Sequence, residues 1–389
     1  MYDAQRTPDF GTSYVDPVFG CSVRRISDGM TQFGVGVHHQ YSLVSPFNAD
    51  TSRVLLGQAT GDQYVVDLDG NIIVTPERLA LTDDNQPLWS PVAASRLYYV
   101  GGNQLMTYDI DSGERQTIAV FSDYEWVGFS RYGKTDISLD GDHVVIVGTP
   151  PGSATPTTIH LYAIGTNSLS PGFTPPAGLE PNYCTVTPGN NVVCMYTDEG
   201  AERYQGVELF DGNMTFVRQV ISFQGHADVG RDVNGDEIMV IVGGDDTEPA
   251  AGCEVNGIEK VRLYDSQKTC LLPLGVNDGE STHVSLRDVS GDPWVVIENT
   301  DLSPQSTAAL PAPGDWQERW SVYDNEVVLL SLDGSRAWRL AHHRSRWLGE
   351  YWYQPRVSIS RDGTYVIFDS NFGLAPSPDY TDAYVIRLK

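Results

Sequence analysis

The sequence predicts an all-β chain: a seven-bladed β-propeller, one domain over residues 1–389, its ring closed by an N-terminal strand that joins the last blade. Three observations predict it. Helical periodicity is scarce, while short runs rich in Val, Ile, Tyr and Thr are separated by Gly, Asp, Asn and Pro. A strand, polar turn and second strand recur seven times, at a spacing of roughly forty to seventy residues. The last unit supplies only three strands, and SVRRIS at 22–27 can supply the missing fourth, so that no sheet edge is left open.

The units begin near residues 41, 86, 134, 183, 226, 283 and 356. They read YSLVSPFNADTSRVLLG (41–57), QPLWSPVAASRLYYVG (86–101), KTDISLDGDHVVIVG (134–148) and YCTVTPGNNVVCMYT (183–197), then HADVGRDVNGDEIMVIVG (226–243), HVSLRDVSGDPWVVIEN (283–299) and RVSISRDGTYVIFDSN (356–371). A third strand follows most of them, as in QYVVDLD (63–69), QLMTYDI (104–110), TIHLYAI (158–164), EKVRLYD (259–265), EVVLLSL (326–332) and AYVIRL (383–388). Two insertions, 243–257 and 300–320, break the rhythm, and inserted propeller loops usually rim the binding face.

The bulk numbers narrow the function classes. Formal charge is −26, and of 25 basic residues only Lys134, Lys260, Lys268 and Lys389 are lysines. Nucleic acid is an unlikely partner, because phosphate binding needs a concentrated positive patch. An anionic ligand must be captured locally, by Arg or a metal. No apolar run is long enough to span a membrane. The first residues lack a charged segment followed by an apolar one, which leaves a cytoplasmic protein or a chain that begins after a removed signal; a periplasmic or secreted location is slightly favoured. The five cysteines show no zinc spacing. Cys184 with Cys194, or Cys253 with Cys270, could pair in an exported protein, although structural thiols are the simpler expectation. Nothing fixes an oligomeric state, and a monomer is expected.

Aligning the units on their turns places one position at the head of each innermost strand: Tyr41, Gln86, Lys134, Tyr183, His226, His283 and Arg356. Two residues earlier, on the same face of a period-two strand, stand His39, Asp84, Tyr132, Pro181, Gln224, Ser281 and Gln354. Fourteen positions drawn from a chain with eight histidines should hold less than one by chance; these hold three. The two tiers describe a polar funnel around the axis, with Arg231 and Arg287 near the turns. A wet channel without chemistry would also be polar, and the clustering of His, Arg, Lys and Tyr is what exceeds that background.

This set lacks the paired carboxylates of an ordinary glycosidase, since Asp84 is the only acid in either tier. No GxSxG elbow, Walker loop or HExxH is present. Proton abstraction beside a carboxylate fits better: Arg or Lys neutralises a uronate, His takes the C5 proton, and Tyr or His protonates the leaving oxygen. In the funnel a histidine would be the base, Tyr183 or Tyr41 the acid, and Arg356 with Lys134 would neutralise the carboxylate. His39, Arg231, His283, Arg287, Gln354, Gln86 and Gln224 would hold an anionic glycan or oligosaccharide. A non-catalytic propeller binding a glycan or protein, and a His-dependent glycoside hydrolase, remain alternatives.

The HHQYSLVSPFNAD opening, GHADVG, HVSLRD and the last-blade QPRVSISRDG resemble the oligogalacturonate lyases, with ulvan lyases as a further comparison and TolB-like propellers sharing the repeat turns. The resemblance implies a seven-bladed propeller that cleaves uronate oligosaccharides by β-elimination, with a divalent metal, typically manganese, in the channel. It makes His226 the counterpart of the proton-abstracting histidine and His283 that of a metal ligand. The family's last-blade pattern, Gln-x-x-His-x-His, falls here on Tyr351, Gln354 and Arg356. If a metal (Mn or Ca) is present, His283 and Gln354 are its candidate ligands. The altered pattern argues against it, because an Arg in the ligand shell repels a cation.

Of the remaining residues, His38 should face between blades, opposite His39, and His143 and His160 fall in outer strands. The segment 341–354 could wall the funnel with Trp347, Trp352 or Tyr353, or serve as a buried connector. The acidic stretch 243–249 is a solvated loop, lacking the oxygen spacing of a calcium loop.

Overall fold

In the computed structural model the described residues are 7–153, 155, 158–197, 202–243, 246–275, 281–300, 302, 322–349 and 351–388. Most of the insertion expected at 300–320, and Gly244 and Asp245 of the acidic stretch, lie outside them. Seven antiparallel sheets form a ring; six have their strands hydrogen-bonded in chain order, and the seventh is completed by strands from the N-terminus.

Blade 1 holds Val37–His39, Arg53–Gln58, Gln63–Asp67 and Ile72–Val74, and blade 2 holds Leu88–Trp89, Arg96–Gly101, Gln104–Asp109 and Arg115–Val120. Blade 3 comprises Trp126–Phe129, His143–Thr149, Thr158–Ala163 and Ser168–Leu169; blade 4 comprises Tyr183–Val186, Val192–Tyr196, Gly206–Phe210 and Phe216–Ile221. Ala227–Arg231, Glu237–Val242, Gly257–Arg262 and Lys268–Pro273 build blade 5. Blade 6 is Ser281–Ser285, Trp294–Thr300, Glu326–Ser331 and Ala337–His342. Blade 7 begins with Ser358–Ile359, Tyr365–Ser370 and Asp382–Arg387.

The second and third strands are apolar on both faces because each blade is sandwiched between two others. Successive residues of Arg53–Gln58 show the logic. Val54 and Leu56 pack on Ile367 and Val385 of blade 7, whereas Leu55 packs on Trp89 and Leu97 of blade 2. The strand-linking turns use their predicted chemistry: in SRDG the Ser360 hydroxyl donates to Asp362 at 2.7 Å, and Gly363 takes a left-handed φ of 64°.

The N-terminal strand closes the ring as expected. Ser22–Arg25 pairs with Asp382–Arg387, with Val23 opposite Ile386. Buried Asp382 anchors it, accepting from Arg25 at 2.8 Å, the Ser27 hydroxyl at 2.7 Å and the Gly29 amide at 2.8 Å. A fifth strand, Ser13–Val15, was not foreseen and lies outside Ser22–Arg25. It carries the chain to Asp16, whose carboxylate clasps blade 6.

Burial pushes the Asp16 carboxyl up, but hydrogen bonds from His342 and from the Val18 and Phe19 amides outweigh this and hold it at about 2. The stabilisation, about 2 kcal/mol, is complete above the unfolded value near 4 and is lost as pH falls towards 2. Asp16→Asn should therefore lower the melting temperature at neutral pH, with the gap to the parent closing in acid. A gap independent of pH, measured by calorimetry, would remove the clasp from the stability account.

Three expectations are corrected. The inner strands of blades 1 and 3 precede the predicted starts at 41 and 134. Residues 130–133 break what would be one long inner strand, with left-handed φ at Ser130, Tyr132 and Gly133. Gln86 and Arg356 are left-handed too, at φ 48° and 49°, just ahead of the inner strands of blades 2 and 7. Finally, Cys184–Cys194 and Cys253–Cys270 are disulfides rather than thiols, and Cys21 is free. Cys184 and Cys194 stand directly opposite each other across two strands. Among the described residues no helix is long and apolar enough to cross a membrane.

Candidate active site

Several of the strand-head residues come together. The imidazoles of His226 and His283, from blades 5 and 6, stack with centroids 4.6 Å apart and planes 12° from parallel. The Tyr41 ring meets both edge-on, at 5.6 Å from His283 and 6.4 Å from His226. Lys134 Nζ lies 4.8 Å from the Tyr41 ring centroid and 6.0 Å from that of Tyr183. A cavity of about 250 Å³ opens beside this group, lined by His39, Tyr41, Gln86, Lys134 and Arg356 among others.

The hydrogen bonds fix the histidines' tautomers. His226 Nδ1 sits 2.8 Å from the Thr282 carbonyl, which can only accept, so the proton of the neutral ring is on Nδ1 and Nε2 keeps its lone pair. His283 Nδ1 donates to buried Glu298 at 2.5 Å, and its Nε2 has no partner among the described residues. Burial, with His283 alongside, pushes His226 down to about 4. Burial together with Arg356 and Lys134 takes His283 to about 3. Two unprotonated imidazoles at neutral pH thus present basic nitrogens.

The two cations differ. Arg356 is buried and donates to Asp369 at 3.1 Å, and that carboxylate also accepts the His39 amide at 3.1 Å. Its guanidinium lies 5.0 Å from the Trp352 ring. Lys134 has only aromatic neighbours and no carboxylate partner among the described residues, and burial lowers its pKa. An incoming anion therefore meets one uncompensated charge, Lys134, and one already balanced, Arg356.

The other predicted residues have partners or positions of their own, and of them only Gln86 lines the cavity. Tyr183 hydrogen-bonds the Ala227 carbonyl at 3.4 Å and lines a separate small cavity with Arg131 and Glu180. Gln86 accepts the Phe129 amide at 2.6 Å and so braces the broken inner strand of blade 3. Gln354 is buried behind the 3-10 turn Tyr351–Tyr353, its Oε1 without a partner among the described residues. Gln224 is exposed. Arg231 is exposed at the far end of its strand, donating to the Gly235 and Pro188 carbonyls at 3.1 Å. Arg287 does not face the cavity. With Asp136, Asp228 and Arg361 it forms a buried ionic cluster joining blades 3, 5, 6 and 7, which can meet only on the axis.

Sequence reasoning missed His38, Asp83, Glu298 and Asp369. His38 lines the cavity beside His39, its ring 5.0 Å from that of Trp352, because the inner strand ends at His39 and alternation stops there. Asp83, not Asp84, faces the cavity, since a 3-10 turn has no two-residue period. Glu298 and Asp369 did leave a signal: each is a lone acid inside an apolar strand, in WVVIENT and YVIFDS. Of the segment 341–354, Tyr351 and Trp352 wall the cavity, while His342 and His343 are buried connectors.

The donor set does not suit a divalent metal. The buried Arg356 guanidinium already places positive charge among His39 and His283, depressing the basicity of both. Among the described residues no three His, Cys, Asp or Glu side chains converge on one point.

No family model and no curated protein matches this sequence. Solved structures do match in fold. An oligogalacturonate lyase from Vibrio parahaemolyticus superposes with a TM-score of 0.63 at 15% identity, covering 97% of this chain and 96% of that one. An oligogalacturonate lyase in complex with manganese gives 0.62 at 16% identity, with 97% and 96% covered. TolB from Acinetobacter baumannii matches partially, with a TM-score of 0.36 at 15% identity over 69% of this chain and 64% of that one.

Proposed function

We propose that the funnel cleaves a uronate-containing glycan by β-elimination. The carrying observation is the stacked His226–His283 pair, neither Nε2 with a partner among the described residues, set beside a lysine that has no carboxylate partner among them. The fold likeness to oligogalacturonate lyases supports the same reading. In it the uronate carboxylate pairs with Lys134 and approaches the guanidinium of Arg356, which lowers the cost of charge accumulating next to C5. His226 Nε2 takes the C5 proton, and His283, held by Glu298, fixes the plane of the neighbouring imidazole by stacking. Tyr41 packs edge-on against both rings. The two disulfides favour an oxidising compartment, periplasmic or extracellular, where such glycans are met.

Incubation with oligogalacturonate, ulvan, glucuronan, alginate and glycosaminoglycans tests this directly. A rise in ultraviolet absorbance from the unsaturated uronate is expected on at least one of them. New reducing ends without that absorbance would mean hydrolysis. The related manganese-bound lyase makes metal dependence a separate question. Here Arg356 stands in for the cation, so chelation with EDTA should leave turnover within about twofold. A stoichiometric divalent ion in the purified protein, with activity lost on its removal, would sink that assignment.

A further inference from the structure

Elimination needs a proton for the leaving oxygen as well as a base for C5. The tyrosines first considered are poorly placed: Tyr183 faces another cavity and Tyr41 packs against the base itself. The connection from blade 1 to blade 2 carries a different group. There Thr82 caps a 3-10 turn, Asp83–Asn85, whose Asn85 side chain accepts the Thr82 amide at 2.9 Å and donates to the Val100 carbonyl at 3.0 Å. The Asp83 amide donates to the Gly61 carbonyl at 3.0 Å, so the turn is fixed to both blades. The Asp83 side chain opens into the funnel cavity.

One carboxyl oxygen of Asp83 is committed. Gln63 Nε2 donates to Oδ1 at 2.6 Å, and the buried Gln63 in turn accepts at Oε1 from Gln40 Nε2 at 3.1 Å. A buried glutamine that spends its amide on Oδ1 of a cavity-lining carboxyl fixes the orientation of that carboxyl and leaves Oδ2 outside this bond. From the rest of the structure Asp83 faces Arg356, Tyr351, His38, Lys134, Asp62 and Asp84. Resting on the lyase reading, we propose that Asp83 is the proton donor to the leaving glycosidic oxygen, with Gln63 its positioning residue.

The step balances. His226 Nε2 receives the C5 proton, the C5–H pair becomes the C4=C5 bond, and the C4–O bond breaks with its pair on oxygen. That oxygen takes the Asp83 proton, and the carboxylate is reprotonated from water. Burial pushes Asp83 up to about 6, with Asp84 and Asp62 adding to the rise against the opposing Arg356 and Gln63, so it keeps its proton closer to neutral pH than an ordinary carboxyl does. An ionised carboxylate would repel a uronate in this cavity, whereas a protonated one donates to it.

The test pairs Asp83→Asn and His226→Ala on two substrates, a natural oligouronate and a uronate carrying an acidic phenol at O4, which departs without protonation. On the natural substrate Asp83→Asn should lose about a hundredfold in kcat and its alkaline limb. On the aryl substrate it should recover to within tenfold of the parent, while His226→Ala stays inactive on both. Gln63→Leu removes a hydrogen bond that favours the carboxylate, so its alkaline limb should move to higher pH. Equal losses on both substrates, or an unchanged Asp83→Asn, overturn the assignment of Asp83 alone. A parent protein that gives no unsaturated product from either substrate overturns the lyase reading, and this inference with it.

Discussion

His226→Ala is expected to cut turnover by about a thousandfold while leaving the fold almost untouched. The catalytic side follows from what a positioned general base contributes, about 10² to 10⁴ in rate. The structural side follows from how little the ring holds. It is exposed to channel water, and its hydrogen bond to the Thr282 carbonyl can be replaced by water. The melting transition should shift by no more than about 1 kcal/mol of stability. His283→Ala is the informative contrast. It removes from buried Glu298 the imidazole that lies 2.5 Å from it, at a cost of about 1 to 3 kcal/mol. Parallel turnover and urea-melt measurements on the two variants separate chemistry from scaffolding. Full turnover in the first variant would take the base assignment away from His226.

The second large effect is expected at Arg356. Removing its guanidinium with Arg356→Ala leaves Asp369 buried, with a pKa already raised well above the ordinary carboxylate range by burial. Breaking a buried pair from one side costs about 3 to 5 kcal/mol. Two further variants make the result readable. Arg356→Lys keeps the charge against Asp369 but loses the planar fork, so it should keep most of the stability and lose about a hundredfold in turnover. Arg356→Asn tolerates the left-handed backbone, φ 49°, and should lose both. If Arg356→Ala melts with the parent, the pair with Asp369 contributes nothing to the fold. If Arg356→Lys turns over normally, a point charge is all the site requires.

The ring was legible because each blade repeats one apolar strand, one Asp/Gly turn and another apolar strand, and because seven copies leave one strand short. Most of the funnel heads were legible for the same reason: equivalent positions on a symmetric ring must converge. What period two could not reach lies where the period is broken. Ser130, Tyr132 and Gly133 bend the chain before Lys134, and Arg356 is itself bent, so residues upstream of such bends cannot be phased from those downstream. His38 and Asp83 were lost to this, one at a strand end and the other in a 3-10 turn. Arg287 was misplaced for a different reason. A sequence shows that a cation is near the axis, but not that Asp228 and Asp136 are waiting for it there.

That ionic cluster bears on traffic. Asp136, Asp228, Arg287 and Arg361 are all under 8% exposed, and Asp136 and Asp228 follow Lys134 and His226 by two residues along the chain. Side chains ringing an open bore would be wet; these are dry. The axis is therefore plugged at this cluster. If the funnel cleaves a glycan as proposed, the chain cannot thread past the plug from end to end, and each fragment must leave by the side from which it entered.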